Sequence, residues 1–334
     1  MEAWMRSVEV VMTGRGGPEV LDVRERDVPA PGRGRVLVRT EAAGVAFSEV
    51  QMLRGRYLNQ PRFPFVPGYD LVGRVAAVGE GVDAALVGRR VAAMTRFGAW
   101  SELVEVPARH LVPVPEEVDA GEAVALVTNG VTAWQMAHRA ARVKAGDTVL
   151  VQGAAGGVGT LLAQFAGAVG ARVIGTASAG KHDALRELGV EPVDYRGDLA
   201  SAVRRLAPEG LDAVFDHVGG QGIRALWPLL RRGGTLVSYG SRSTLKDEGH
   251  PLRPYLPLAA RVLAWSLLPN GRRAKFYYVR PTATFRSDLK TVLSLLRDGE
   301  LDARVAHRLP LDRAAEALGL LVDGGVTGKV VLDA

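Results

Sequence analysis

A chain of 334 residues has room for two domains of ordinary size, and 47% hydrophobic with 23% charged residues excludes a disordered or fibrous protein. No run approaches the ~20 uninterrupted apolar residues of a membrane span. There is no cysteine, which excludes disulfides, thiolate catalysis and cysteine-ligated zinc; the net charge of +6 is not gathered into a basic block interleaved with aromatics, so no nucleic-acid partner is expected.

The N-terminal residues Met1 to Arg6 lack the apolar stretch and small-residue cleavage site of a signal peptide, so a cytoplasmic location is expected. The first ~125 residues read as β-rich: valine-rich runs at Val8–Val11, Val36–Arg39 and Val72–Val78 are punctuated by Gly and Pro. After Pro113-Val114-Pro115 a helical pattern begins, with Asp119 as N-cap. From Thr128 the rhythm alternates. Strands are expected at Thr148–Gln152, Arg172–Gly175, Leu211–Phe215 and Thr235–Ser238, and helices at Gly157–Gly170, Gly180–Gly189 and Gly222–Leu230. That alternation means an α/β fold with a doubly wound parallel sheet. Residues 241–280 break the rhythm with Pro251, Pro254, Pro257 and Pro269. Helices at Ser287–Arg297 and Asp312–Leu321 and a strand at Lys329–Leu332 complete the chain.

The stretch Gly153-Ala154-Ala155-Gly156-Gly157-Val158-Gly159 follows an apolar strand and opens a long helix, the context a dinucleotide turn needs. Gly153 permits the tight turn, Gly156 and Gly157 let backbone N–H groups approach a pyrophosphate, and Gly159 permits close packing of helix on sheet. The helix N-terminus adds partial positive charge. A strand-turn-helix using glycine for geometry alone is the competing reading. An NAD site would place Asp or Glu at the end of the second strand, some 20 residues on. Here Ile174-Gly175-Thr176-Ala177-Ser178 carries no acid, Ser178 can donate to a 2′-phosphate and Lys181 can neutralise it, so NADPH is favoured over NADH.

Several motifs together resemble the medium-chain dehydrogenase/reductase superfamily, in its zinc-independent quinone oxidoreductase branch. They are Gly44-Val45-Ala46-Phe47, Arg54-Gly55-Arg56-Tyr57, Pro67-Gly68-Tyr69-Asp70-Leu71-Val72-Gly73, Thr132-Ala133-Trp134, the glycine turn, Asp194-Tyr195-Arg196, Asp216-His217-Val218-Gly219-Gly220 and Gly328-Lys329-Val330-Val331-Leu332. The run Ser178 to His182 is most similar to the vesicle-amine-transport-like subgroup. The resemblance implies a split GroES-like catalytic domain (1–127 and 266–334) around a Rossmann NADP-binding domain (128–265), with the cofactor between them and a homodimer formed through the Rossmann sheet edge. It implies that Ser178, Lys181 and Tyr195 surround the 2′-phosphate. It also assigns His217, Val218, Tyr239, Gly240 and Lys329 to the cofactor's surroundings, His217 for positioning rather than proton transfer. Thr128 and Asn129 are candidates for holding the nicotinamide amide or ribose, against ordinary helix capping.

The departures shape the chemistry. Zinc-dependent relatives carry Cys where Ala46 stands and His-Glu where Tyr69-Asp70 stands, so no metal is expected. Quinone oxidoreductases usually carry Asn where Ala46 stands and Asp where Glu49 stands. Without a Lewis acid, the acceptor must itself be electrophilic: an apolar quinone or α,β-unsaturated carbonyl, reduced by hydride from NADPH. Tyr57 matches the donor of enoyl reductases in this superfamily, and Tyr69 is the second candidate; for either, the alternative is a packing aromatic with a satisfied hydroxyl. A reading from another class is a non-redox Rossmann-fold binding or scaffolding protein, with a membrane surface as one location for it. It draws on Ala46 and on the apolar, basic segment Tyr255 to Lys275. There Leu258, Val262 and Trp265 fall at i, i+4 and i+7, as in a helix whose apolar face lines a substrate cleft, meets a dimer partner or touches a membrane; the cleft or dimer interface is favoured.

Overall fold

The computed structural model describes residues 4–58, 60–220, 222–246 and 255–334. The expected prolines Pro251 and Pro254 lie outside these. The chain divides into two compact units, residues 1–131 with 280–334, and residues 132–279.

In the first unit β1 (Met5–Met12) and β2 (Leu21–Val28) form an antiparallel pair. There follow β3 (Arg35–Val45), α1 (Phe47–Leu53), β4 (Asp70–Val78), β5 (Arg90–Met94), β6 (Leu103–Pro107), β7 (Val112–Pro113) and α2 (Ala120–Ala125). Asp119 caps α2 as expected, accepting from the Glu122 N–H at 3.0 Å. The helical chain then widens at Leu126–Gly130.

The second unit holds α3 (Val131–Trp134), β8 (Thr148–Val151), α4 (Gly157–Ala168), β9 (Arg172–Ala177), α5 (His182–Glu187), β10 (Val190–Asp194), α6 (Leu199–Leu206), β11 (Leu211–Asp216), α7 (Ile223–Leu226), β12 (Leu230–Ser238), α8 (Tyr255–Leu267) and β13 (Arg273–Phe276). Its strands form one parallel sheet in the order β10-β9-β8-β11-β12-β13. This is the doubly wound dinucleotide-binding order, and it reverses between β8 and β11, where such folds place their ligand. Val149, Leu150 and Val151 are wholly buried, as a central parallel strand requires.

Several elements differ from the sequence reading, each for a local reason. The strand β10 and helix α6 were not expected; Pro192 weakens the strand signal but is tolerated because β10 is a sheet edge. The expected helix Gly222–Leu230 stops at Leu226, because Pro228 permits only a tight turn at Trp227–Leu229 before β12 begins. The strand β13 is short and polar, and exists through its pairing with β12, Thr235 opposite Arg273 to Ser238 opposite Phe276. That pairing keeps residues 266–279 with the second unit, so the chain returns after 279 rather than at 266.

Helix α8 forms, but its apolar stripe has a different use from the three considered. Leu258 and Val262 are buried in the core of their own unit with Leu236 and Ala274, and Trp265 stacks on Trp227 at 4.7 Å with the rings 5° apart. Leu256, Leu263 and Leu267 face solvent.

The first unit resumes with α9 (Ala283–Arg297), β14 (Val305–Pro310), α10 (Ala314–Asp323) and β15 (Lys329–Asp333). Helix α9 starts four residues before the expected Ser287 because the Thr282 side chain caps the Phe285 N–H at 3.2 Å. The larger sheet runs β14-β15-β3-β4-β5-β7, with β6 also on β3. This C-terminal strand thus lies against the strand that leads into α1.

Candidate functional site

The glycine turn has the geometry its sequence implies. Gly153 takes a positive φ of 63°, and a Cβ there would lie 2.5 Å from the His217 ring. Its N–H donates to Thr176 Oγ1 at 3.0 Å, and the Ala154 N–H donates to the Thr176 carbonyl at 3.0 Å, tying the turn to the end of β9. At Gly159 a Cβ would collide with the Gly153 carbonyl, so only glycine lets α4 pack this closely. Gly156 is the exposed member: among the described residues the only atom a Cβ there would meet within 4 Å is the Gly153 carbonyl oxygen, at 3.4 Å. Ala155 is buried, and Gly157 and Val158 half-buried, at the first turn of α4. The turn therefore presents an open backbone surface at a helix N-terminus, which suits an anionic ligand.

Three more expected residues stand at the next strand ends. Ser178 follows β9, and its carbonyl accepts from the Lys181 N–H at 2.9 Å. Tyr195 follows β10, half exposed, and Asp194 pairs with Ala177, so Ser178 and Tyr195 emerge from neighbouring strands. Burial, and next the Arg242 charge, hold the Lys181 ammonium below the usual lysine range.

At the end of β11 Asp216 is fully buried. Its carboxylate accepts from the N–H groups of Val218 (3.1 Å) and Gly219 (3.0 Å) and from Ser238 Oγ (3.1 Å). These bonds shape the turn that carries His217 and Val218. Burial pushes His217 down to about 4, with Arg242 adding to the shift, so the imidazole is neutral at physiological pH. The ring packs on Gly153 on one side and lies 6.2 Å from the Tyr239 ring on another. The Tyr239 N–H donates to the Asp216 carbonyl at 2.9 Å, and burial pushes its phenol up. Gly240 passes so close to His217 that a Cβ would lie 2.6 Å from the His217 carbonyl. His217, Val218, Tyr239 and Gly240 thus converge beside the glycine turn, all in the second unit.

In the first unit the two tyrosine candidates form one pair. Their hydroxyls are 2.7 Å apart and their rings meet edge to face at 6.2 Å. Tyr69 is 4% exposed and Tyr57 half-buried. Phe97 packs edge-on against Tyr57, and Phe65 against Phe97.

Thr128, Asn129 and Lys329 also belong to the first unit, and all three are buried. The Thr128 N–H donates to Asp70 Oδ2 at 3.1 Å. A Cβ at Gly44 would strike Asp70 Oδ1 and lie 2.7 Å from Lys329 Nζ, so both groups close on this glycine. Glu49, wholly buried, accepts from the Ala46 N–H (3.0 Å) and Ser48 Oγ (2.8 Å) through Oε2. Burial pushes the Glu49 carboxyl up to about 7, while the Ser48 hydrogen bond and the Lys329 charge oppose the shift. Glu49 Oε1, Asp70 Oδ1, Thr128 Oγ1 and Lys329 Nζ have no hydrogen-bond partner among the described residues. The sequence reading treated Glu49 and Asp70 only as departures from a family pattern. It missed that they join Lys329 in a buried ionic set; the available signal was two acids and a lysine inside otherwise apolar motifs. Among the described residues no three His, Asp or Glu side chains could hold a metal ion.

Known proteins resemble this chain along nearly its whole length. Residues 32–116 match the alcohol dehydrogenase GroES-like domain, and residues 188–332 match the zinc-binding dehydrogenase family. The synaptic vesicle membrane protein VAT-1 homolog of Rattus norvegicus is 33% identical over 97% of this chain and 83% of its own length. A protein of Schizosaccharomyces pombe named "Probable quinone oxidoreductase" is 32% identical over 98% of this chain and 97% of its own. Among solved structures, a mycobacterial protein complexed with NADPH superposes with a TM-score of 0.84 at 31% identity, over 98% of this chain and 100% of that one. A quinone oxidoreductase of Pseudomonas syringae pv. tomato gives 0.85 at 29%, with the same coverage. With cysteine absent, Ala46 and Tyr69 at two ligand positions of the zinc enzymes, and relatives of this kind along its length, the chain belongs to the medium-chain dehydrogenase/reductase superfamily, in its zinc-independent, quinone-oxidoreductase-like branch.

Proposed function

We propose that this chain is an NADPH-dependent reductase of quinones or α,β-unsaturated carbonyl compounds. The observation that carries the reading is the glycine turn: an open backbone surface at Gly156, covered at Gly153 by a neutral imidazole, and followed by a second strand that ends at Ala177 and leads into Ser178 without an acid. These residues fit a dinucleotide. The turn and the start of α4 would hold the pyrophosphate, and Ser178, Lys181 and Tyr195 the 2′-phosphate. When bound, the nicotinamide supplies hydride to an electrophilic acceptor.

The chain's own part in the chemistry is to hold a proton. Within the tyrosine pair the two hydroxyls lie 2.7 Å apart and either can donate to the other; Tyr57, the less buried of the two, is the one to give up its proton. Enone reduction needs that proton at carbon, whereas a reduced quinone takes protons on oxygen, which water can supply. Thr128, held through its N–H by Asp70, offers its hydroxyl as a further donor. The reading includes a homodimer through the open edge of β13, where Phe276 and Tyr278 are half-exposed.

Calorimetric titration with NADPH and NADH, followed by NADPH consumption with quinone and enone panels, tests the proposal. NADPH is expected to bind more tightly; equal affinities, or no turnover with either panel, would count against it. The second reading, a non-redox protein at a membrane surface, draws on exposed Leu256, Leu263 and Leu267 of α8. No helix among the described residues is long and apolar enough to cross a membrane. Pelleting with anionic liposomes in the absence of cofactor would favour that reading.

A further inference from the structure

The glycine turn, Gly153 to Gly159, contains no charged side chain. Its N–H groups and the α4 N-terminus offer dipoles to a pyrophosphate that carries two negative charges, so any full positive charge must come from another segment. His217, which covers Gly153, cannot supply it, because its imidazole is neutral.

One segment is built to bring a cation there. After β12 the chain turns back over the end of β11 and is fixed at successive residues. The N–H of Tyr239 donates to the Asp216 carbonyl (2.9 Å), that of Arg242 to the His217 carbonyl (3.1 Å), and that of Ser243 to the Val218 carbonyl (2.9 Å). Gly240 permits the close approach to His217, and Ser241 Oγ donates to Tyr255 Oη at 2.8 Å, tethering the segment to α8. Arg242 is therefore carried on fixed backbone beside the very residue that covers Gly153, with its own side chain exposed. Its charge reaches both flanks of the turn: it adds to the lowering of His217, at the end of β11, and of Lys181, after β9. Two cations that raise each other's energy in this way are both stabilised by an anion placed between them.

We infer that Arg242 is a cofactor-binding residue whose guanidinium pairs with the pyrophosphate over the glycine turn, while Lys181 serves the 2′-phosphate. The inference rests on the reading that the turn binds NADPH. A guanidinium suits the task, because its planar fork matches two phosphate oxygens at once. The division of labour separates affinity, set by Arg242 for either nicotinamide cofactor, from cofactor choice, set by Lys181.

Calorimetric dissociation constants for NADPH and NADH, measured on wild type, Arg242→Ala, Arg242→Lys and Lys181→Ala, test this without any turnover. Arg242→Ala is expected to weaken both cofactors by roughly tenfold or more, the scale of one charge-assisted hydrogen bond, and Arg242→Lys to recover part of the loss. Lys181→Ala is expected to weaken NADPH alone. Unchanged affinity for both cofactors in Arg242→Ala would overturn the inference while leaving the NADPH reading intact. Loss confined to NADPH would overturn the pyrophosphate assignment. A wild type that binds neither cofactor would overturn the reading and the inference together. The Arg242 N–H to the His217 carbonyl survives any of these changes; should Arg242→Ala not fold, Arg242→Gln, which removes the charge and keeps the length, gives the same readout.

Discussion

The second unit builds its candidate site from backbone, and the first builds its own from side chains. At the glycine turn the functional groups are N–H donors exposed by missing side chains, all within seven consecutive residues. In the first unit Glu49, Asp70, Thr128 and Lys329 come from four segments spread over 280 residues, joined by the pairing of β15 with β3 and β3 with β4. A backbone site is intolerant of any added atom. A side-chain site is sensitive to charge and proton position. The two should break differently.

The largest effect is expected at Gly159. A Cβ there meets the Gly153 carbonyl and the Ala154 backbone, neither of which is the movable end of a side chain. Gly159→Ala should destabilise the protein by about 3 kcal/mol through forced backbone shifts and weaken NADPH by ~10²-fold or more. Gly156→Ala, where the nearest atom is 3.4 Å away, should leave the melting temperature nearly unchanged and act on binding alone. Equal melting temperatures for all three proteins would show that the turn is not closely packed.

Glu49 tests the other side of the comparison. Its folded pKa of about 7 lies above the ordinary carboxyl value of about 4.5. The folded state therefore holds a proton that the unfolded state releases between these values. Stability from this group is fully present below about 4.5, falls as pH rises towards about 7, and is level above it. At most about 3 kcal/mol is involved, since one unit corresponds to ~1.4 kcal/mol. Facing the carboxyl are the Ser48 hydroxyl, the Asp70 charge, which also raises it, and the Lys329 charge, which opposes. Glu49→Gln should flatten the decline in urea-unfolding stability between pH 5 and 8. An unchanged slope would mean that Glu49 is ionised within its pocket.

The tyrosine pair comes next, at about 2.7 kcal/mol of barrier for a hundredfold loss. Tyr57→Phe should lower enone turnover by about 10²-fold and quinone turnover less, because only the enone needs a proton at carbon. Since the two hydroxyls share one hydrogen bond, Tyr69→Phe should cost less alone, and the double variant little more than Tyr57→Phe. A loss in Tyr69→Phe with Tyr57→Phe unaffected would transfer the proton to Tyr69.

How much was legible in the sequence follows the same division. The turn could be read because a backbone site leaves its signature in adjacent glycines, and the parallel sheet because β8, β9 and β11 each carry a short apolar run, Val149–Val151, Val173–Ile174 and Ala213–Phe215. Tyr57 and Tyr69 were legible as separate candidates, but not as a pair, because their contact depends on how the chain between them folds. The ionic set was not legible as a set: Lys329 meets Gly44 and Asp70 only through β15, β3 and β4. In β13, local residues carry little strand preference and the neighbouring strand decides.

The smallest effect concerns α8, where the sequence indicated a helix but not what it packs against. Leu258 and Val262 enter the core of their own unit, and Trp265 stacks on Trp227. An aromatic pair of this kind adds about 0.5–1.5 kcal/mol beyond the area it buries, so Trp265→Phe, which keeps a ring, should cost about 1 kcal/mol or less. Fluorescence gives the sharper readout. Trp4 is 56% exposed and should be the most readily quenched by acrylamide, whereas the component lost in Trp265→Phe should be quenched less readily than that of Trp4. Trp227 loses its stacking partner in the same variant, so Trp227→Phe serves as the control for altered emission of the neighbour. Adding anionic lipid should leave the quenching of the Trp265 component unchanged, because its ring faces Trp227 while the exposed leucines 256, 263 and 267 lie on the other side of the helix. If that component is instead the most quenchable in the pure protein, and lipid then shields it, α8 leaves the core to meet the membrane and the stacked pair is not its resting state.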